Sequence, residues 1–257
     1  MEQEYIKAFK LECERDRLAK NNLLNELSDT YSGGIPEIPN LNSGVKWDKL
    51  NRVNIDEFTN PMAYHRVNIV HDFIVYDKDR YKLLDIGFGQ GALEEKLNKS
   101  NKCSELWGID ISKESVSDKK REYPSWKFIV GDIMKVNLPK KYFDYVVILE
   151  VLEHIDPSKI LIVLSKINAS LKNGGYIIVS VPLNEGLEEM INKGINPNAH
   201  VRAYTSNIIK SELKMTGYRI EKFVYLYAFH FLYGLKSMFA KYFFKKPNNI
   251  VLLAQKI

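Results

Sequence analysis

Cysteine is nearly absent: the chain has two, Cys13 and Cys103, and neither belongs to a CxxC pair. That excludes a disulfide framework and a zinc knuckle, and makes a reducing cytoplasm the expected location. No run of about 18 apolar residues occurs, so no transmembrane segment is expected. The opening MEQEYIKAFKLECERDR is charged and lacks the apolar stretch of a secretory signal. Charge of one sign is not concentrated either. The formal net charge of +5 and pI of about 8.9 come from scattered Lys and Arg, without the dense basic stripe that tracks nucleic acid. Nucleic acid is therefore not an expected partner. Internal repeats and low-complexity tracts are missing too.

What is there is an ordinary globular composition, 45% hydrophobic and 27% charged over 257 residues. It suffices for one α/β domain with some decoration. Residues 2–28 read as a polar, weakly amphipathic helix, and SGGIPEIPNLNSG after it is a breaker segment. The expected organisation is an N-terminal helical cover and loop over 1–59, then a domain over 60–257. A helix is predicted from Pro61 to about Tyr76, with Asn60 as its cap.

From Tyr81 the rhythm becomes strand, loop, helix, repeated. YKLLDIG, ELWGIDI, WKFIVGD, FDYVVILE and GYIIVSVP are short apolar runs, and helix-length segments follow at 91–98, 113–122 and 157–171. Near-continuous apolar strands alternating with helices indicate a Rossmann-like, mostly parallel sheet with helices on both faces. A helix over 204–215 and the runs GYRIEKFVYL and NIVLLAQKI close the chain.

The first strand ends in LLDIGFGQGALEEKL. Glycines at 87, 89 and 91 let the backbone turn sharply and approach a ligand, and the next helix begins at that turn with free N–H groups. Asp85 just before the loop suits an amine-bearing or cationic ligand and is out of place beside a pyrophosphate. Asp110 closes the second strand about 20 residues on, where a carboxylate can accept from both hydroxyls of a ribose. Asp132 follows the third strand, placed to accept from an adenine amino group. A nicotinamide-dependent oxidoreductase is the rival, but its GxGxxG pattern is not met, since Ala92 follows Gly91. A non-catalytic partner subunit that keeps the fold is a second alternative.

This set resembles the class I S-adenosylmethionine-dependent methyltransferases, through DIGFGQG, GIDIS, GDI and the later LKNGGYIIVSVP. The likeness is to the ubiquinone-pathway O-methyltransferases and the type 11 and 12 group. It implies a seven-stranded sheet with the last strand antiparallel and S-adenosylmethionine as cofactor. Asp85 and the loop of Gly87, Phe88, Gly89 and Gly91 would lie at the methionine part. Asp110 with Ile111 would hold the ribose, and Asp132 with Ile133 the adenine.

A second constellation follows the fourth strand, in ILEVLEHIDP. If the chain turns helical at Glu150, then Glu150, Glu153 and His154 share one face of a turn. His200, in NPNAHVRAY after the fifth strand, can approach them. In one reading Glu150 and Glu153 line the methionine end of the pocket. In the other, Glu150, Glu153, His154 and His200 form a mixed oxygen and nitrogen set for a divalent metal, magnesium or manganese and also zinc or iron. The pattern resembles that of small-RNA 3′-end methyltransferases and of the ubiquinone-pathway enzymes, where such residues hold a metal; this keeps an RNA acceptor as an alternative. Without metal, His154 or His200 is the candidate general base.

NPMAYHRVNIV, residues 60–70, is similar to the segment ahead of the core in the ubiquinone-pathway enzymes. Arg66 can pair with the cofactor carboxylate and Tyr64 or His65 can face the acceptor; packing on the sheet is the alternative for Tyr64. Arg202 beside His200 supplies, with Arg66, donors for a carboxylate or phosphate. The expected acceptor is thus a small, anionic metabolite or sugar, phosphorylated or nucleotide-activated, methylated on oxygen in preference to nitrogen. The aromatic segment 226–246 is expected to pack against the sheet and the N-terminal helix, rather than to lie on a membrane or form a dimer interface. A homodimer is compatible with the chain.

Overall fold

The computed structural model describes residues 42–53, 56–75, 80–187, 189, 193, 199–229, 232–243 and 246–257. The helix expected over 2–28 lies outside these residues. The strands are β1 (Tyr81–Ile86), β2 (Cys103–Asp110), β3 (Lys127–Val130), β4 (Phe143–Leu149), β5 (Leu171–Pro182), β6 (Tyr218–Leu226) and β7 (Asn249–Lys256). The helices that position the site are α1 (Gly44–Val53), α2 (Asp56–Thr59), α3 (Pro61–Val75), α4 (Ala92–Ser100), α5 (Lys113–Glu122), α6 (Ile160–Ser170), α7 (Ser206–Met215) and α8 (Tyr233–Phe243).

The seven strands form one sheet in the order β3-β2-β1-β4-β5-β7-β6. The first five are parallel, and β7, the last strand, runs antiparallel between β5 and β6. Successive side chains of a strand point to opposite faces, and both faces here are covered. Leu84, Ile86, Val146, Ile148, Ile177 and Val179 pack with Ile160, Val163, Leu164 and Ile167 of α6 and Ile208 and Leu213 of α7. The alternate residues Leu83, Tyr145, Val147 and Ile178 pack with Val67, Val70 and Ile74 of α3, Leu93 and Leu97 of α4, and Val116 of α5. Each such aliphatic side chain contributes about 1.5–3 kcal/mol of transfer free energy.

Caps fall where the sequence places them. Asn60 Oδ1 accepts from the N–H groups of Met62 (2.9 Å) and Ala63 (3.3 Å) at the start of α3. Thr205 accepts from Ile208 N (3.3 Å) ahead of α7. Helices α1 and α2 have no counterpart in the sequence reading, which leaves 45–59 without an assigned element.

Two expectations change. Arg202 is not a ligand-facing donor: it is 2% exposed, its Nη2 donates to Glu212 Oε1 of α7 (2.7 Å), and its guanidinium lies 4.2 Å from the Tyr204 ring centre. A guanidinium this deep needs a carboxylate partner, and Glu212, equally buried, supplies it. Removing one member of a buried ion pair strands the other, so Arg202→Ala should lower unfolding free energy by about 3–5 kcal/mol. Denaturant titration measures this; replacing both partners, with Arg202→Met and Glu212→Leu, should recover most of the loss.

Among its described residues the aromatic segment packs through one face of α8, and its expected contact with the N-terminal helix lies outside the described residues. Ala240 of α8 is buried, and Tyr233 Oη lies 2.9 Å from His65 Nδ1 of α3. Leu235, Met238, Phe239 and Tyr242 are all exposed. The apolar members do follow a helical stripe, and it faces outward.

Candidate active site

Strands β1, β2 and β4 end side by side, so the segments that follow them meet at one edge of the sheet, where open α/β sheets bind ligands. After β1, Gly87, Gly89 and Gly91 adopt φ of +73°, +56° and +82°. That left-handed region is open to glycine and strained for other residues. A Cβ at Gly87 would run into the side chain of Val151. Gly91 stands at the N-terminus of α4 and offers no side-chain cap, which leaves first-turn N–H groups available to a ligand.

Asp110 sits under this loop. Its Oδ2 accepts from Gly89 N (3.0 Å) and its Oδ1 from Ser112 N (2.8 Å). Each carboxylate oxygen retains a lone pair for a further donor. Burial pushes the Asp110 carboxyl up to about 6, and the nearby Asp48 pushes the same way, against the two N–H groups. Asp48, on α1, accepts from Ser112 Oγ (2.7 Å) and Glu114 N (3.2 Å), so α1 lies over the end of β2. Asp85 is buried at the end of β1. Asp132 accepts from Met134 N (2.8 Å) and shapes the turn after β3. Ile111 is partly buried beneath Gly44, whose Cβ would meet its carbonyl oxygen. The side chains of Phe88 and Ile133 turn inward: Phe88 lies edge-on to Phe128, and Ile133 joins the core.

After β4 the chain does not turn α-helical. Glu150 takes φ +54°, and a single 3-10 turn spans Leu152–His154. The shared helical face is therefore absent, and Glu150 parts from the other three residues. Its carboxylate accepts from Ser180 Oγ (2.6 Å) and from Asn249 Nδ2 at both oxygens (2.9 Å), and pairs with Arg66 Nη1 (3.3 Å). With four such contacts its lone pairs are occupied, so Glu150 leaves the candidate metal set.

Glu153, His154 and His200 do come together, with one ligand atom of each within 4.8 Å of the others. The imidazoles meet edge to face at 4.8 Å between ring centres. Each has its Nδ1 tied to an oxygen: His154 to the Ala199 carbonyl (3.2 Å), His200 to Glu185 Oε2 (2.8 Å). A ring whose Nδ1–H is given to oxygen presents Nε2 as a bare lone pair. Burial, and His200 beside it, push His154 down to about 3, so it is a neutral and weak base. Among the described residues, both oxygens of the fully buried Glu153 carboxylate lack a hydrogen-bond partner. Burial and then Glu150 raise its pKa well above the usual carboxylate range. Asn42 Nδ2 donates to the carbonyls of His154 (3.2 Å) and Ala199 (3.1 Å), and Trp47 of α1 lies 4.9 Å from the His154 ring.

The residues expected to face the acceptor divide. Tyr64 is exposed and faces Lys96 of α4, whose ammonium is 4.6 Å from its ring centre. His65 lines a cavity of about 320 Å³ with Tyr225, Leu226, Tyr233, Gly234 and Met238. Burial lowers the His65 pKa and raises that of Tyr233. Asn42, Trp47, Asp48, Glu185 and Asn249 escaped the sequence reading. Glu185, an acid just past the fifth strand, carried a usable signal, whereas the others sit in segments without a motif.

Residues 84–179 match a family model described as a methyltransferase domain. No curated protein matches the chain by sequence. Solved structures do. The N-methyltransferase NodS from Bradyrhizobium japonicum WM9, in complex with S-adenosyl-L-homocysteine, is 16% identical with a TM-score of 0.63 over 84% of this chain and 99% of that one. An S-adenosylmethionine-dependent methyltransferase from Archaeoglobus fulgidus is 21% identical, with a TM-score of 0.59 over 78% and 97%. The [4+2]-cyclase SpnF, at 17% identity and a TM-score of 0.62 over 87% and 98%, has the same fold, so architecture alone does not fix a reaction. Residues 84–179 thus match a methyltransferase domain, and the chain has the fold of these S-adenosylmethionine-dependent methyltransferases.

Proposed function

We propose that the protein methylates a hydroxyl oxygen of a small molecule, held between the cofactor loop and a cation site made by Glu153, His154 and His200. The observation that carries this is the fully buried Glu153 carboxylate without a hydrogen-bond partner among the described residues, grouped with two imidazoles. A buried carboxylate in that state calls for a cation, either a proton or a metal. The residues fit a divalent ion. They offer a carboxylate oxygen and two imidazole Nε2 atoms, with Glu185 and the Ala199 carbonyl behind the rings as the outer partners such ligands use. One ligand atom of each residue lies within 4.8 Å of the others, so Glu153, His154 and His200 together would hold the ion. A bound magnesium or manganese ion would supply Lewis acidity toward the acceptor hydroxyl.

S-adenosylmethionine supplies an activated methyl group that transfers by in-line displacement. The chain's own task is then to align and to shield. Asp110 is placed for the ribose hydroxyls, the turn at Asp132 and Ile133 for the adenine, and Asp85 with the glycine loop for the methionine end. Glu150, fixed by Ser180, Asn249 and Arg66, presents a rigid anionic wall beside the sulfonium. Asn42, just ahead of α1, and Trp47 and Asp48 of α1 brace both halves of the site. The cavity beside His65 and Tyr233 receives the body of the acceptor. Arg202 is committed to Glu212 and Arg66 to Glu150, so neither is free to demand an anionic acceptor.

Titration with manganese tests the cation site. Wild type should bind one ion. His200→Ala should lose it, with S-adenosylhomocysteine affinity unchanged. Undiminished turnover in chelator-treated protein would overturn the metal part of the reading.

A further inference from the structure

Apart from Met238, which also reaches the rim of the acceptor cavity, the outer face of α8 takes no part in the proposed reaction. The inner face anchors the helix through buried Ala240 and through Tyr233, bonded to His65. On the outer face Leu235, Met238, Phe239 and Tyr242 recur at helical spacing and are 54%, 56%, 45% and 72% exposed; Leu232, just ahead, is 51% exposed. Apolar side chains on the surface of a monomer usually occur singly, and a row of them on one helix face marks a contact surface.

Charge chooses the occupant. From Lys222 to the C-terminal Ile257 the chain has no Asp or Glu, while Lys236, Lys241, Lys245 and Lys246 lie in and just beyond α8. Two copies meeting through this face about a two-fold axis would set lysine against lysine, with no acid from the segment to pair them. A surface of anionic lipid headgroups accepts both features: apolar side chains enter the boundary between headgroups and acyl chains, and lysines meet phosphates. The topology gives the contact a consequence. Strand β6 is antiparallel to β7, which is antiparallel to β5. So α8, between β6 and β7, lies at the sheet edge that carries the glycine loop and the Glu153 cluster.

We propose that α8 docks the protein peripherally on an anionic membrane, through Leu235, Met238, Phe239 and Tyr242 together with the lysines of the same stretch of sequence. The catalytic edge is thereby turned toward the lipid. This goes beyond the methyl-transfer reading and does not depend on it. No helix among the described residues is long and apolar enough to cross a membrane, and none is needed for surface attachment.

The test is co-sedimentation of the full chain with phosphatidylcholine vesicles, with and without phosphatidylglycerol. Binding should be at least about tenfold stronger on the anionic vesicles and should weaken with salt. Leu235→Glu combined with Phe239→Glu should abolish it while leaving S-adenosylhomocysteine affinity unchanged. Tyr242→Ser, at the most exposed position, is the milder variant should the double one fail to fold, and should weaken binding severalfold. The proposal is overturned if the chain stays in the supernatant with both vesicle types, or if the variants sediment like wild type. It is equally overturned if sedimentation equilibrium shows a dimer that Leu235→Glu dissociates, since a second copy would then occupy the face.

Discussion

Asp110→Ala should weaken S-adenosylhomocysteine binding at least about 100-fold. Hydrogen bonds to a charged group contribute about 1.5–3 kcal/mol each, and in the proposed function the carboxylate receives both ribose hydroxyls. It also steadies Gly89 and Ser112 through their N–H groups, so its loss loosens the loop as well. The same residue predicts a pH dependence. Burial first, and Asp48 second, raise the Asp110 pKa to about 6 in the free protein. The ribose hydroxyls need the ionised form, so affinity should be highest above pH 6 and fall as pH drops through that value. Stability of the free protein runs the other way. A carboxyl whose pKa is raised by folding from about 3.9 binds its proton more tightly in the folded chain. Its contribution is full below the unfolded value and is lost as pH rises through about 6. Calorimetric titration across that range, beside thermal denaturation of the free protein, checks both. Affinity independent of pH would remove Asp110 from the cofactor site.

Glu153→Met should raise stability while nearly abolishing turnover. The carboxylate is fully buried and its oxygens have no hydrogen-bond partner among the described residues. A polar group in that state costs about 1–3 kcal/mol, and a methionine of similar volume removes the cost. The gain should appear as a rise of about 2–4 °C in Tm per kcal/mol, with kcat falling at least about 100-fold. Opposite signs separate a functional carboxylate from one that merely packs, whose loss would lower stability and leave chemistry intact. Active sites keep such unfavourable groups because the reaction needs them. A variant that is both less stable and fully active would assign Glu153 to the scaffold.

The fold and the glycine-loop half of the proposed site are legible in the sequence, for a physical reason. Buried parallel strands must be apolar along their length, so YKLLDI, FDYVVIL and GYIIVSVP stand out, and the turns between them reveal themselves through Gly, Asp and caps. The glycine loop and Asp110 are readable because backbone conformation and ligand approach restrict what residues can stand there. The acceptor side is not local in this way. Glu150, Glu153 and His154 look alike as a helical triplet, but a left-handed Glu150 and a 3-10 turn send Glu150 to Arg66 and Asn249 and the other two to His200. Arg202 and His200 are near neighbours in sequence, yet one is consumed by Glu212 and the other faces the site. Asn42, Trp47 and Asp48 become visible only once α1 is laid across the sheet edge, since tertiary packing assigns them their partners.

The most direct measurement of the central claim is calorimetric titration of the wild-type protein with S-adenosylhomocysteine. One site per chain with micromolar affinity is expected. Absence of binding to folded protein would contradict it, and would mean that the glycine loop and its acids serve a fold kept for another purpose.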